Sequence, residues 1–167
     1  TYIGDPINTI RLFNDLEIDE ISIIDIDSSI SGKEPNISLI EELASEAFVP
    51  VTVGGGIKNK KHVENILNAG VEKVLINSSF IDSPDMIYEI SKDIGRQSLV
   101  ISIDVKKDLF GKYKVYSYIK KKNLDIDLID LVLKAEEIGA GELFVNSVDN
   151  DGMMKGLDCN LIQLINK

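Results

Sequence analysis

Three consecutive glycines, Gly54-Gly55-Gly56, follow the apolar run Val49 to Val53. Lacking Cβ atoms, they allow backbone N–H groups to approach an anion that any side chain would obstruct. Asp104 closes a second apolar run, Leu99-Val100-Ile101-Ser102-Ile103, and Asp25 closes a third, Ile21-Ser22-Ile23-Ile24. A carboxylate at the end of a buried strand can hold or move a proton when a bound molecule comes within hydrogen-bond reach. The alternative for Asp104 is a loop carboxylate that caps the hairpin, but active sites of barrels sit at this end of the strands, which favours a chemical role. Asn77-Ser78 reads as a helix cap, which is compatible with anion binding because helix N-termini attract anions. Asp25-x-Asp27 and Asp149-x-Asp151 recur at comparable strand ends. Anion binding coupled to proton transfer is the chemistry these residues suggest.

The elements that would position them alternate along the chain. An opening helix is expected from about Asp5 to Glu17, and Ile21 to Asp25, rich in β-branched residues, reads as a buried strand. A polar loop with Gly32 and Pro35 leads to Asn36, an expected N-cap, and a helix carrying Ile37, Leu39, Ile40 and Leu43. Strand Val49 to Val53, a helix around Val63 to Ala69 stopped by Gly70, strand Lys73 to Ile76 and a helix started by Ser83-Pro84 continue the pattern. After strand Ser98 to Ile103 the beat breaks for a hairpin, Lys112 to Tyr118, with Gly111 at the turn. A helix from Asp125 to Ile138, a strand Leu143 to Ser147 and a helical start at Asn160 to Ile165 follow. Apolar strands alternating with helices imply an α/β fold with a parallel sheet. Five strands fall short of a closed eight-fold barrel, which typically needs about 250 residues, so an open doubly wound sheet is the alternative.

The 167 residues suit one domain, and a net charge of −10 argues against nonspecific nucleic-acid binding. No run approaches the roughly 18 apolar residues of a membrane span, and TYIGDPINTI lacks the parts of a signal peptide, so a cytoplasmic location is expected. Seven lysines stand against one aspartate between Lys106 and Lys122. That segment is either a solvated hairpin or a local field that steers an anion inward. Cys159, the lone cysteine, is expected to be a half-buried free thiol, and His62, the lone histidine, a surface residue. Neither a metal cluster nor the G-x-G-x-x-G spacing of a dinucleotide site is present, so no metal or cofactor is expected.

Taken together, VPVTVGGGIKN, VEKVLINSSF, SLVISIDVKKDLFGKYKVYSY and GAGELFVNSVDNDGMMKG resemble the HisF family, the cyclase subunit of imidazole glycerol phosphate synthase, almost from end to end. The resemblance implies a (β/α)8 TIM barrel of the ribulose-phosphate-binding type. Counted against it, the visible strands are the second to the sixth, and residues 1–167 form a single partial barrel whose exposed edges favour association. The family's first-strand catalytic aspartate and last two strands have no counterpart, so the chain is either a fragment or ordered portion of a longer protein or a degenerate relative; a fragment is expected, because a start in mid-loop and an end in mid-helix serve no folding purpose.

By the same resemblance, Asp104 is one of a catalytic carboxylate pair, and Asp25 is an active-site carboxylate. Gly56, Asn77 and Ser78 match one phosphate site, and Asp151 and Gly152 match part of a second, so the expected substrate is a phosphorylated small molecule. Glu20, Lys73 and Glu142 stand at the N-terminal ends of three alternate strands, where period-two geometry would bring them into one layer of the interior. Charges there are costly unless paired. They match residues that gate ammonia delivered by a docked glutaminase, the HisH-like partner. Three strand-end surface charges are the alternative. Asn146 and Met153 depart from the threonines usual in the histidine enzyme. YIGDPINTIRLFND and IDVKKDLFGKYKVY look particularly like a HisF-like branch that installs acetamidino groups on surface-glycan sugars. A noncatalytic phosphate-binding subunit and the sister isomerase of histidine synthesis are further alternatives.

Overall fold

The computed structural model describes residues 4–166. Both ends of the expected 1–167 domain, and the Tyr2-Ile3 start of the glycan-like segment, lie outside them. Helix α1 (Pro6–Asp15) begins with Asp5, whose side chain accepts from the Asn8 N–H, and a proline in the first turn. Strands β1 (Ile21–Ile24), β2 (Val51–Gly54), β3 (Lys73–Ile76), β4 (Leu99–Lys107) and β7 (Glu142–Ser147) form a parallel sheet in the order β1-β2-β3-β4-β7. These are the five strands expected from the apolar runs. A hairpin breaks the series: β5 (Tyr113–Ser117) returns antiparallel along the end of β4, and the short β6 (Lys122–Asn123) pairs with β5. Asp108 shapes its turn by accepting from the N–H groups of Phe110 and Lys112. The capping role allowed for Asp104 therefore belongs to Asp108.

One face of the sheet carries the core. Val51, Val53, Val74, Ile76, Leu99, Ile101, Ile103 and Val105 are buried, and they share a cluster with Ile66, Phe80, Ile87, Ile90 and Ala135 of the helices. Each such Val, Leu, Ile or Phe side chain contributes about 1.5–3 kcal/mol by leaving water. The helices are α3 (Ile37–Glu46), α4 (Lys60–Asn68), α6 (Pro84–Ile94), α7 (Leu128–Glu137) and α8 (Cys159–Ile165). Asn36 caps α3 by accepting from Leu39 N–H, as its position predicts. Two short helices come where a loop and a simple cap were expected: α2 (Ile26–Ser31), capped by Asp25, and α5 (Ser78–Asp82).

Alternation along the strands sends Thr52, Lys73, Leu75, Ser102 and Asp104 to the opposite face, which in a barrel is the interior. The sheet curls but does not close: β1 and β7 are its edges, leaving Ile24 and Phe144 exposed. This is a partial (β/α)8 barrel. Among the described residues no helix is long and apolar enough to cross a membrane.

Candidate functional site

Because β1, β2, β3, β4 and β7 run parallel, their C-terminal ends share one rim. Asp104 sits there with 8% of its surface exposed. Asn77 Nδ2 donates to Asp104 Oδ2 at 2.8 Å, and Asn146 Nδ2 donates to Oδ1 at 3.0 Å. Burial drives the Asp104 carboxyl above the usual aspartate range, the two amides oppose that, and the nearby negative charge of Asp151 adds to it. A carboxyl so tuned can exchange a proton closer to neutral pH than an exposed aspartate can.

The cap reading of Asn77 needs correcting. It precedes α5, but its side chain makes no capping hydrogen bond and turns to Asp104 instead. Ser78 follows as the first, half-buried residue of α5.

Tyr118 of the hairpin was not singled out from sequence. Burial, with the charges of Asp104 and Asp151, raises its phenol above the ordinary value, while a hydrogen bond with Asn146 pulls it back. Its signal was the alternating hairpin strand, which carries Tyr116 and Tyr118 to the same side of the ribbon, where their rings meet edge to face at 5.2 Å.

The glycine loop is packed rather than open. Gly55 has φ +105°, and a Cβ there would lie 2.2 Å from the Asp25 carbonyl oxygen. Gly56, at φ +67°, is buried below the Lys33 carbonyl, and its N–H donates to Ser29 Oγ at 3.3 Å. The glycines are thus required by close approach of the β1–α2 segment, whatever binds above them. Asp25 itself is exposed and accepts from the Ser28 N–H and hydroxyl. Burial pulls its carboxyl upward, but these bonds leave it below the ordinary value, ionised as a helix cap.

His62 is 7% exposed, which corrects its expected surface placement. The loop wraps it: Nδ1 lies 3.2 Å from the Gly56 carbonyl oxygen and 3.4 Å from the Lys58 nitrogen. Cys159 is exposed at the first turn of α8 rather than half-buried.

Asp151 and Gly152 lie in the β7–α8 loop, the glycine at φ +68°, and line a groove of about 600 Å³ with Asn146, Lys155, Leu157 and Ile162. Behind the loop, Asp158 gathers several elements. It accepts from Tyr113 Oη at 2.7 Å, from Ser147 Oγ at 3.2 Å and from Leu161 N at 3.2 Å, with Lys107 Nζ at 3.7 Å. Burial works against its charge, and these donors outweigh it, holding the carboxyl below the ordinary range. Part of the hairpin's positive charge is already matched, since Lys107 faces Asp158 and Lys120 lies 3.2 Å from Asp82.

At the opposite end of the same interior, Lys73 Nζ lies 2.7 Å from Glu20 Oε2 and 2.6 Å from Glu142 Oε1. Thr52 Oγ1 donates to the second oxygen of Glu20 at 2.7 Å. The Lys73 bond, more than opposing burial, keeps the Glu20 carboxyl low, and the two carboxylates, Glu142 foremost, keep the Lys73 ammonium high. Glu20 precedes β1, Lys73 begins β3 and Glu142 begins β7, so alternate strands do bring them into one layer.

Comparison with known proteins agrees with this architecture. An imidazole glycerol phosphate synthase subunit HisF of Petrotoga mobilis is 40% identical over 163 residues, 97% of this chain and 65% of that protein. A Vibrio vulnificus protein provisionally named as subunit hisF3 is 43% identical over 162 residues, covering 96% and 62%. A Leptospira interrogans protein, provisionally named as subunit HisF, is 43% identical over 163 residues, covering 97% and 64%. The chain therefore spans somewhat under two thirds of the length of these relatives. Residues 1–167 match the family described as Histidine biosynthesis protein, and with these relatives the chain belongs to that family as a HisF member.

Proposed function

We propose that this chain is the strand-two-to-strand-six portion of a HisF-type cyclase. In this reading it takes ammonia from a glutaminase partner and a substrate bearing phosphate at both ends, a phosphoribulosyl formimino carboxamide ribotide. It closes an imidazole ring to give imidazole glycerol phosphate and releases aminoimidazole carboxamide ribotide. The observation that carries this reading is Asp104, a buried carboxylate at the barrel rim held by Asn77 and Asn146 with Asp151 nearby. Asp104 acts as one proton-transfer group, and the glycine loop with Asn77 and Ser78 grips one phosphate. Asp151 and Gly152 contribute to a grip on the other, which orients the substrate across the rim before chemistry. Glu20, Lys73 and Glu142 form the inner end of the ammonia route.

Ammonia-dependent cyclisation by the full-length protein tests the reading. Asp104→Asn should lower turnover by about 10²–10⁴-fold, the usual contribution of one positioned acid or base. Undiminished turnover in that variant would remove the assignment. Asn146, hydrogen-bonded to Asp104 where threonine is usual, favours a second reading, acetamidino transfer in surface-glycan synthesis. Turnover of an amidotransferase-coupled sugar substrate in place of the ribotide would select it.

A further inference from the structure

Asp104 and Asn146 are partners in the β4–β7 register, so the Asn146 amide is aimed by backbone pairing rather than by a loop. Asn77, just past β3, approaches from the other side. Each carboxylate oxygen of Asp104 thereby has one amide donor, Oδ1 from Asn146 at 3.0 Å and Oδ2 from Asn77 at 2.8 Å. A carboxylate oxygen carries two lone-pair sites, so one on each oxygen is left for another donor.

We propose that Asn146 is a positioning residue for Asp104: it fixes the plane of the carboxylate and favours its ionised form. The proposal rests on the reading of Asp104 as the proton-transfer group. An asparagine suits the task because its amide N–H is an obligate donor, whereas a hydroxyl can turn to accept and cease to hold the carboxylate. The charged and titratable groups facing Asp104 are Asp151, from the β7–α8 loop, and Tyr118, from the hairpin. Tyr118 also hydrogen-bonds with Asn146, and neither group supplies positive charge, so the amides are the groups that offset burial of the carboxylate.

The test is a carboxyl ¹³C NMR titration of Asp104 in the full-length protein, with the pH profile of turnover measured alongside. Removing the donor in Asn146→Leu should raise the proton affinity of Asp104 about tenfold or more, the scale of a hydrogen bond to a charged group. Asn146→Thr, which retains a weaker donor, should give a smaller rise, and the acidic limb of the turnover profile should move with the titration. Asn146→Ala serves the same purpose if the leucine variant does not fold. An unmoved midpoint in the donorless variant overturns the proposal. The titration needs no substrate, so absent cyclisation removes the function reading without deciding the role of Asn146. An unmoved midpoint with intact cyclisation removes that role alone.

Discussion

The backbone at Gly55 approaches Asp25 so closely that a Cβ there would lie 2.2 Å from the Asp25 carbonyl oxygen and 2.9 Å from its nitrogen. Backbone cannot yield as a side chain end can, and φ +105° is itself costly for any other residue. Gly55→Ala should destabilise the protein by roughly 1–3 kcal/mol from the dihedral alone, and more from the clash. Thermal unfolding checks this: the substitution should lower Tm and weaken any stabilisation by added inorganic phosphate.

The interior layer predicts a separation of activities. Lys73→Ala leaves Glu20 and Glu142 without the cation that lies within 2.7 Å of both. If the proposed ammonia route runs through this layer, glutamine-dependent turnover with a glutaminase subunit should fall more than turnover with free ammonia. Equal losses would mean that the layer only holds the strands together.

A pH dependence follows from Asp104. Burial first, then Asp151, makes the folded state bind its proton more tightly than the unfolded chain does. Its contribution to stability is therefore unfavourable while it is ionised, and that cost disappears as pH falls through its raised folded value. In the proposed role of base it has to be ionised, so the acidic limb of kcat/KM should lie above the usual aspartate range. In Asp151→Asn that limb should move to lower pH, which a pH profile of both proteins measures.

Asp158 ties the hairpin to the rest of the rim through Tyr113. Tyr113→Phe should cost about 1 kcal/mol, the net worth of one hydrogen bond. Asp158→Ala should cost more, since it also uncaps α8 and strips Ser147 and Lys107 of a partner. Amide exchange should accelerate across Tyr113 to Ser117 in both variants, with α4 unchanged.

The parallel sheet was legible because strands buried within such a sheet must be apolar along their length, which sets Leu99 to Ile103 apart from the amphipathic helices around it. The layer of Glu20, Lys73 and Glu142 was legible for a related reason: strand periodicity fixes which face a residue takes, and charges placed there need one another. Helices α2 and α5 escaped notice because six and five residues show no helical period. His62 was misplaced because its burial comes from the glycine loop folding over it, with Glu34 of a different segment 3.7 Å away. A spacing rule along one helix carries no trace of such a contact. Tyr118 needed the hairpin's path in space before its nearness to Asp104 could be seen. The exposure of Cys159 depends on the side to which α8 turns its first residue, which a lone cysteine in the sequence does not encode.

The Gly56 carbonyl points at the ring of His62. A peptide unit is planar and trans, so the N–H of Ile57 has to head the opposite way. An imidazole seated beneath the chain thus sets the compass bearing of the donor at the other side of that same peptide unit. A ligand arriving there would meet a group already facing a fixed direction, with no rotation left to wait for.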